Sequence, residues 1–355
     1  MFARSAAILL IATLASIPAT PFPAPAPGRR VPALGLAVNV ADSASAHDRQ
    51  EALDQVRAAG VSLFALEVAW PAAEPRPRRY DVAAVTRTAR LLRQSGAVLH
   101  LDLPLVNGRI RQVPADLARA AFDDPKLTVR LGRLLDALGP ALADFSTLSL
   151  GNEADAYFSD KPDELRAFRS LFRGAVEFLG KKAPRLLVGV ATNAPMDSPF
   201  PAVVSALQEK SPVLLYVYSP FLPDAPFRHR PPETIDRDWA TILSAASGRP
   251  VAFTEVSFSS AGENDSSVAR QADFVRRMRR ILGREDAARL LFARYVPWRD
   301  PAPVSASPAP PRDPLTVRRD AFFANRGLQT AEGRPKPAWK EFAAPPPEPG
   351  RRLKR

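Results

Sequence analysis

Two glutamates stand at the ends of short apolar runs, where a carboxylate needs either a partner or a chemical task to offset its burial. Glu153 closes Leu148-Ser149-Leu150-Gly151-Asn152-Glu153, and Glu255 lies in Val251-Ala252-Phe253-Thr254-Glu255-Val256. A third apolar run carries His100 and Asp102. Their two-residue spacing puts both on one face of a strand, where they can bond a polar ligand or form a satisfied interior pair. Tyr218 ends another run, and Trp70, Tyr157, Phe221 and Trp298 follow others. The three histidines, His47, His100 and His229, have no metal-ligand spacing, and the chain has no Cys. A site without metal or cofactor is therefore expected, and thiolate sites, cysteine nucleophiles and disulfide frameworks are excluded.

The elements that must hold these residues follow from periodicity. Strands are predicted at Ala33–Val40, Val61–Trp70, Ala97–Leu105, Phe145–Gly151, Arg185–Ala191, Val213–Tyr218, Val251–Val256 and Leu290–Val296. Helical patterns follow them at His47–Ala59, Val82–Gln94, Pro125–Leu138, Pro162–Leu179, Phe200–Glu209, Asp236–Ala246 and Ser266–Leu282, with a last one holding Trp339 and Phe342. Gly60, Gly96, Gly139, Gly180, Gly248 and Gly283 stand where these helices should stop. Eight β-then-α units argue for a closed (β/α)8 TIM barrel of the α/β class. An open doubly wound sheet would place a Gly-rich turn after its first strand, and Val38-Asn39-Val40-Ala41-Asp42 is not one. In a barrel the working residues gather at the C-terminal ends of the strands. Units of roughly 31 residues separate strands three apart by about 94 residues. The observed 102 between Glu153 and Glu255 thus sets them across the barrel mouth.

Composition bounds the rest. With 355 residues, 46% hydrophobic and 24% charged, the chain reads as one folded domain with tails. Arg4 before the apolar run Ala6–Ile17 has the form of a secretory signal, too short to span a membrane. Residues 1–26 are read as this signal and the start of a Pro-rich linker, 31–344 as the barrel, and 345–355 as a Pro-rich basic tail. An exported protein, with no membrane span after signal removal, is the expectation. The net charge of +12 comes largely from Arg, 41 of the 49 basic residues. Clusters such as Arg276, Arg277, Arg279 and Arg280 read first as a solvated helix face, and no aromatics interleave with them to suggest a specific nucleic-acid partner. The positive balance is compatible with an acidic glycan. Oligomeric state is not legible.

Two outlying motifs complete the pattern. Trp70, Glu74, Pro75 and Tyr80 follow the second strand, and Gly327-Leu328 precedes Gly333-Arg334-Pro335-Lys336-Pro337-Ala338-Trp339. Taken in order with Asn152-Glu153, Tyr218, Glu255 and Trp298, they make the sequence resemble the clan A retaining glycoside hydrolases, the barrels that include cellulases, mannanases and galactanases. The resemblance spans most of the chain between the tails. It implies an enzyme that cleaves β-glycosidic bonds in an oligo- or polysaccharide, with Glu255 as nucleophile and Glu153 as acid and then base. Double displacement of this kind uses carboxyl groups about 5–5.5 Å apart. Tyr218 would donate a hydrogen bond to Glu255, Asn152 would hold the sugar 2-hydroxyl, and Trp298 would offer a flat platform to a pyranose ring. Trp70 and Tyr157 would wall further subsites, with Phe221 beside them; for Trp70 and Trp239, packing under a loop is the competing reading.

One feature departs from that pattern. Clan A barrels often carry an Arg on strand two that supports the nucleophile, and Ala65 stands at the matching position. Arg294 on the eighth strand is the candidate replacement, bracing Glu255 or pairing with Glu67. Two other functions keep the fold: a catalytically inactive barrel that binds glycans, and a surface-binding scaffold that uses its basic tail.

Overall fold

The computed structural model describes residues 32–39, 45–284, 287–302 and 313–345. The signal-like N-terminus, the basic tail past 345 and most of the loop Asp300–Pro314 lie outside these residues. In chain order the elements are β1 (Ala33–Leu36), α1 (Ala46–Ala58), β2 (Leu63–Glu67), the one-turn α2 (Trp70–Ala73), α3 (Ala83–Gln94) and β3 (Val98–Asp102). A hairpin of β4 (Val106–Asn107) and β5 (Ile110–Arg111) precedes α4 (Pro125–Leu142), β6 (Thr147–Ser149), α5 (Ala154–Phe158) and α6 (Pro162–Lys182). Next come β7 (Leu187–Gly189), β8 (Ala191–Asn193), α7 (Pro201–Gln208) and β9 (Leu214–Tyr218). After a second hairpin, β10 (Phe221–Leu222) with β11 (Ala225–His229), lie α8 (Thr234–Ala245), β12 (Val251–Val256), α9 (Val268–Leu282) and β13 (Leu290–Tyr295). Two helices, α10 (Pro314–Asn325) and α11 (Pro337–Ala343), follow.

Nine strands form one sheet in the order β7-β6-β3-β2-β1-β13-β12-β9-β8. The ladders β1/β13, β12/β13, β2/β3, β3/β6, β6/β7 and β8/β9 are all parallel. The fifth predicted strand is split at Val190: its first half, β7, pairs with β6 and its second half, β8, pairs with β9. One strand thus supplies both ends of the sheet order, which is how eight β/α units close into a barrel. Hydrogen-bonded strands are shorter than the apolar runs, because a run continues past the ladder into loops and helix starts. The second run, for instance, leaves the sheet at Glu67 and enters α2 at Trp70.

Two compact units divide the described residues. The first contains Ser62–Val217. Its helix α4 starts on Pro125 with the Asp124 carboxylate accepting from Lys126 N at 2.7 Å, as an N-cap should. It then runs through Gly139 and Pro140 to Leu142, past the predicted stop, because its buried stripe of Leu131, Leu134, Leu135, Leu138 and Ala141 keeps helical spacing. Likewise α6 passes Gly180 and ends on Lys181 and Lys182, whose charges suit a helix C-terminus. Gly60, Gly96 and Gly248 do end helices, with φ of 81°, 88° and 84°, values that favour a residue without Cβ.

The second unit holds residues 32–39, Glu51–Val61 and Tyr218 onward. Between its sheet and helices lies an aromatic layer: Trp239 stacks on Phe253 at 3.9 Å, with Tyr218 at 6.1 Å from Trp239 and stacked over Phe274 at 6.3 Å. Each such side chain, fully buried, contributes on the order of 2–3 kcal/mol by leaving water. The Arg cluster on α9 is tied to acidic partners and main chain: Arg277 to Asp236 and Asp273, Arg280 to Asp236, Arg276 to Asp273 and Glu341, and Arg279 to the Ala344 carbonyl.

Candidate active site

In the first unit, β3 and β6 pair so that His100 lies beside Thr147 and Asp102 beside Ser149. His100 is fully buried, with Nδ1 at 2.7 Å from Thr147 Oγ1 and Nε2 at 2.9 Å from Asp102 Oδ1. Both ring nitrogens are therefore occupied, and the imidazole serves to hold Asp102, whose side chain keeps 19% of its exposure. On the neighbouring strand Glu67 is in register with Asp102, and Ala65 with His100. Leu99, Leu101 and Leu148 alternate to the other face and are buried there.

The chain leaves β6 through a segment bonded on both sides. Leu150 N donates to Gly189 O, Leu105 N to Leu150 O, and Ala191 N to Gly151 O. A Cβ on Gly151 would meet Val190 Cγ1 at 3.2 Å and Ala154 Cβ at 3.3 Å, so glycine lets these segments approach without displacing their neighbours. Asn152 exchanges main-chain bonds with the β4–β5 hairpin, its N donating to Val106 O and its O accepting from Gly108 N, both at 2.9 Å. Its side-chain Nδ2 donates to Asn107 Oδ1 at 3.3 Å. Glu153 then takes the left-handed conformation, φ 46° and ψ 39°. A non-glycine residue there stores on the order of 1 kcal/mol of strain, which packing has to hold. Glu153 is half-buried, and its Oε2 lies 3.5 Å from where a Cβ on Gly108 would stand. Behind it the fully buried Asp155 accepts from Asn193 N at 2.9 Å and Ser198 Oγ at 2.6 Å, fixing α5 to the end of β8. Sequence reasoning missed Asp155, since an acid one turn into a helix looks like an ordinary N-terminal charge.

Two expected wall residues of this unit have other work. Trp70 is fully buried and donates its Nε1–H to Glu74 Oε2 at 2.8 Å. Glu74 Oε1 takes Arg130 at 3.0 Å, and Arg130 also pairs with Asp116 and offers its carbonyl to Tyr80. The Trp…Glu-Pro…Tyr motif is thus a buried polar knot under α4. Tyr157, also buried, donates to Glu164 Oε2 at 2.9 Å, with the Lys161 ammonium 4.3 Å above its ring and Phe122 at its edge. Burial, with help from Glu164, pushes its phenol up to about 12. Neither ring offers a face to a sugar.

In the second unit, Glu255 sits at an irregularity of the β12/β13 ladder. Phe253 pairs with Ala293 and Val256 with Tyr295, leaving Thr254 and Glu255 opposite Arg294 alone. Such a bulge re-aims a side chain that strict alternation would have sent with Phe253 toward the helices. Tyr295 donates its hydroxyl to Phe258 O at 3.0 Å on the α9 side, so alternation gives the half-buried Arg294 the opposite face. Tyr218 donates its hydroxyl to Asp238 Oδ2 at 3.0 Å on α8, within the aromatic layer. An aromatic at a strand end follows the apolar face, and that face is here the helix side. Trp298 is likewise no open platform. It is fully buried against Trp339, with the Arg299 guanidinium 4.1 Å above its ring.

The C-terminal motif is a clasp. Asn39 holds Arg299 through two bonds of 2.9 Å, Lys336 meets Asp300 at 2.6 Å, and Gly327 N donates to Asp300 Oδ1 at 2.7 Å. Burial raises the Asp300 carboxyl above its usual range against the pull of Lys336. A Cβ on Gly327 would stand 2.2 Å from Asp300 N, closer than atoms allow.

Solved structures were compared with this fold. GH5_18 from Streptomyces cattleya, in complex with Manβ1-4GlcNAc, aligns over 90% of this chain and 83% of its own, with a TM-score of 0.64 and 19% identity. Native xylanase 10B from Thermotoga maritima aligns over 88% and 94%, with 0.59 and 14%. The chain shares their (β/α)8 barrel fold. Exo-β-1,4-mannosidase Op5Man5 from Opitutaceae bacterium strain TAV5 matches the barrel over 88% of this chain and 58% of its own, at 0.60 and 18%. No protein-family model matches the sequence, and none of the curated proteins matches it. The barrel architecture implied by the resemblance therefore stands, and Trp70, Tyr157, Tyr218 and Trp298 are buried in it.

Proposed function

We propose that the protein is a retaining glycoside hydrolase that cleaves β-glycosidic bonds in an oligo- or polysaccharide, with Glu255 as nucleophile and Glu153 as acid/base. The observation that carries this reading is the placement of both carboxylates, each at the carboxyl end of a parallel strand of a barrel, where such folds keep their chemistry. Local geometry supports it: one carboxylate is held in a strained left-handed turn, the other at a bulge, features that collect at working sites. In the first step a Glu255 carboxylate oxygen attacks the anomeric carbon, the bond to the leaving oxygen breaks, and Glu153 gives that oxygen its proton. In the second, Glu153 takes a proton from water, the hydroxide oxygen bonds the anomeric carbon, and the bond to Glu255 breaks. The two roles need Glu153 protonated and Glu255 ionised at the outset. Arg294, opposite Glu255 in the ladder, is the residue placed to favour the ionised carboxylate in place of an Arg at Ala65. Asn152, tied to Asn107, would hold the sugar 2-hydroxyl, and Asp102, braced by His100, would bond a further hydroxyl.

The neighbours' substrates suggest what to try first: β-mannosides, Manβ1-4GlcNAc and xylan. Export is part of the proposal and rests on the Arg4 to Ile17 sequence. The deciding experiment is release of sugar from these substrates by the protein beside its Glu255→Gln variant. Hydrolysis lost in the variant supports the reading. Binding of a glycan with no turnover by either protein overturns it in favour of an inactive binding barrel.

A further inference from the structure

Beside Glu153 the described residues include one backbone position without a side chain, Gly108. Gly108 lies at the turn of the β4–β5 hairpin with φ 55°, and the direction its Cβ would take ends 3.5 Å from Glu153 Oε2. That spacing is ordinary contact distance, so a side chain there would lie against the carboxyl rather than be expelled by it. The hairpin is not loosely hung. Gly108 N and Val106 O bond Asn152, the residue before the glutamate, and Asn107 bonds the Asn152 side chain. At its far end Arg111 lies 4.0 Å over the Phe122 ring and reaches the Ala120 carbonyl. Beyond Gly108, Arg109 and Ile110 are exposed, Ile110 at 49%.

Resting on the assignment of Glu153 as acid/base, we infer that Gly108 is a specificity-determining position: the bare backbone of the hairpin forms the wall on which the leaving group lies as Glu153 protonates its oxygen. The group that departs must approach the carboxyl oxygen that gives the proton. A methylene at 108 would occupy the space beside that oxygen and hold the departing oxygen away from it, so a leaving group that needs full protonation would suffer most. Leaving groups that depart as stable anions need little help from the acid.

The test uses aryl β-glycosides of whichever sugar the protein hydrolyses, a phenyl glycoside as the poor leaving group and a 2,4-dinitrophenyl glycoside as the good one. Gly108→Asn is the main variant, because Asn tolerates positive φ, and Gly108→Ala adds the Cβ alone. Expected is a fall in kcat/KM of about ten-fold or more for the phenyl glycoside against less than about three-fold for the dinitrophenyl one, the same direction as in Glu153→Gln. A merely structural role would lower both equally through loss of folded protein. Equal losses in Gly108→Asn, or none, while Glu153→Gln keeps its leaving-group signature, would overturn the inference and leave the function standing. Absence of hydrolysis by the unaltered protein, or a Glu153→Gln variant indifferent to leaving group, would overturn both.

Discussion

Individual side chains decide whether this barrel is an enzyme, and their roles separate by readout. Glu255→Gln removes the attacking oxygen's charge and is expected to lower turnover on the order of a thousand-fold or more while leaving the melting temperature near its original value. Arg294→Ala should lower kcat/KM by roughly ten-fold or more, with Arg294→Lys recovering part of it, since the register sets this cation opposite Glu255 and a shorter-range ammonium keeps the charge but not the fork. An Arg294→Ala enzyme with unaltered kcat/KM would remove the bracing role. His229 makes a different kind of statement. It is buried between Phe258, 3.9 Å away, and Phe221, accepts from Ser259 N at 2.9 Å, and burial drops its imidazole to about 3, with Arg270 and Arg230 also opposing protonation and Asp265 favouring it. An unfolded chain with His at about 6.5 takes up a proton that the folded chain refuses. Stability is therefore whole above pH 6.5 and falls as pH drops toward 3, by an amount on the order of a few kcal/mol. Denaturant midpoints measured from pH 7 to 4 should show this slope, and His229→Gln should start lower but fall less steeply.

Elements matter here through the joints between them. The knot of Trp70, Glu74, Arg130 and Asp116 binds the segment after β2 to α4. Glu74→Ala would strand a buried guanidinium and an indole N–H, a loss of about 3–5 kcal/mol that a denaturation curve would register. The clasp from Asn39 to Lys336 plays the same part for the last strand. With backbone 2.2 Å from any Cβ at Gly327, Gly327→Ala should destabilise by about 2–4 kcal/mol, with kcat of the folded fraction unchanged. These two motifs carried much of the family resemblance, yet both turn out to hold the scaffold. Loop-forming glycines behaved unevenly for a physical reason. Gly60, Gly96 and Gly248 adopt positive φ and end helices, whereas Gly139 and Gly180 sit where an apolar face still has core to cover, so the helix runs on.

For the whole molecule, eight alternations of apolar run and helical pattern were enough to specify a barrel, because parallel strands buried on both faces can be closed in few other ways. The proposed export rests on the Arg4 to Ile17 segment, and N-terminal sequencing of protein recovered outside the cytoplasm should find a start between residues 16 and 27; an intact Met1 there would count against the export signal. Sequence by itself determined the eight β-then-α units, the two carboxylates at strand ends and the common face of His100 and Asp102, since each follows from periodicity or from an acid in an apolar setting. Tertiary structure alone decided which way the aromatics turned. Trp70, Tyr157, Tyr218 and Trp298 stand at the right places along the chain, but a large ring goes wherever most of its area can leave water, and that was inward among Phe122, Phe274 and Trp339 rather than onto a sugar. The bulge at Glu255 and the left-handed turn at Glu153 were equally invisible beforehand, because both are set by partners in other strands and hairpins, and no local pattern encodes a contact with a residue forty positions away.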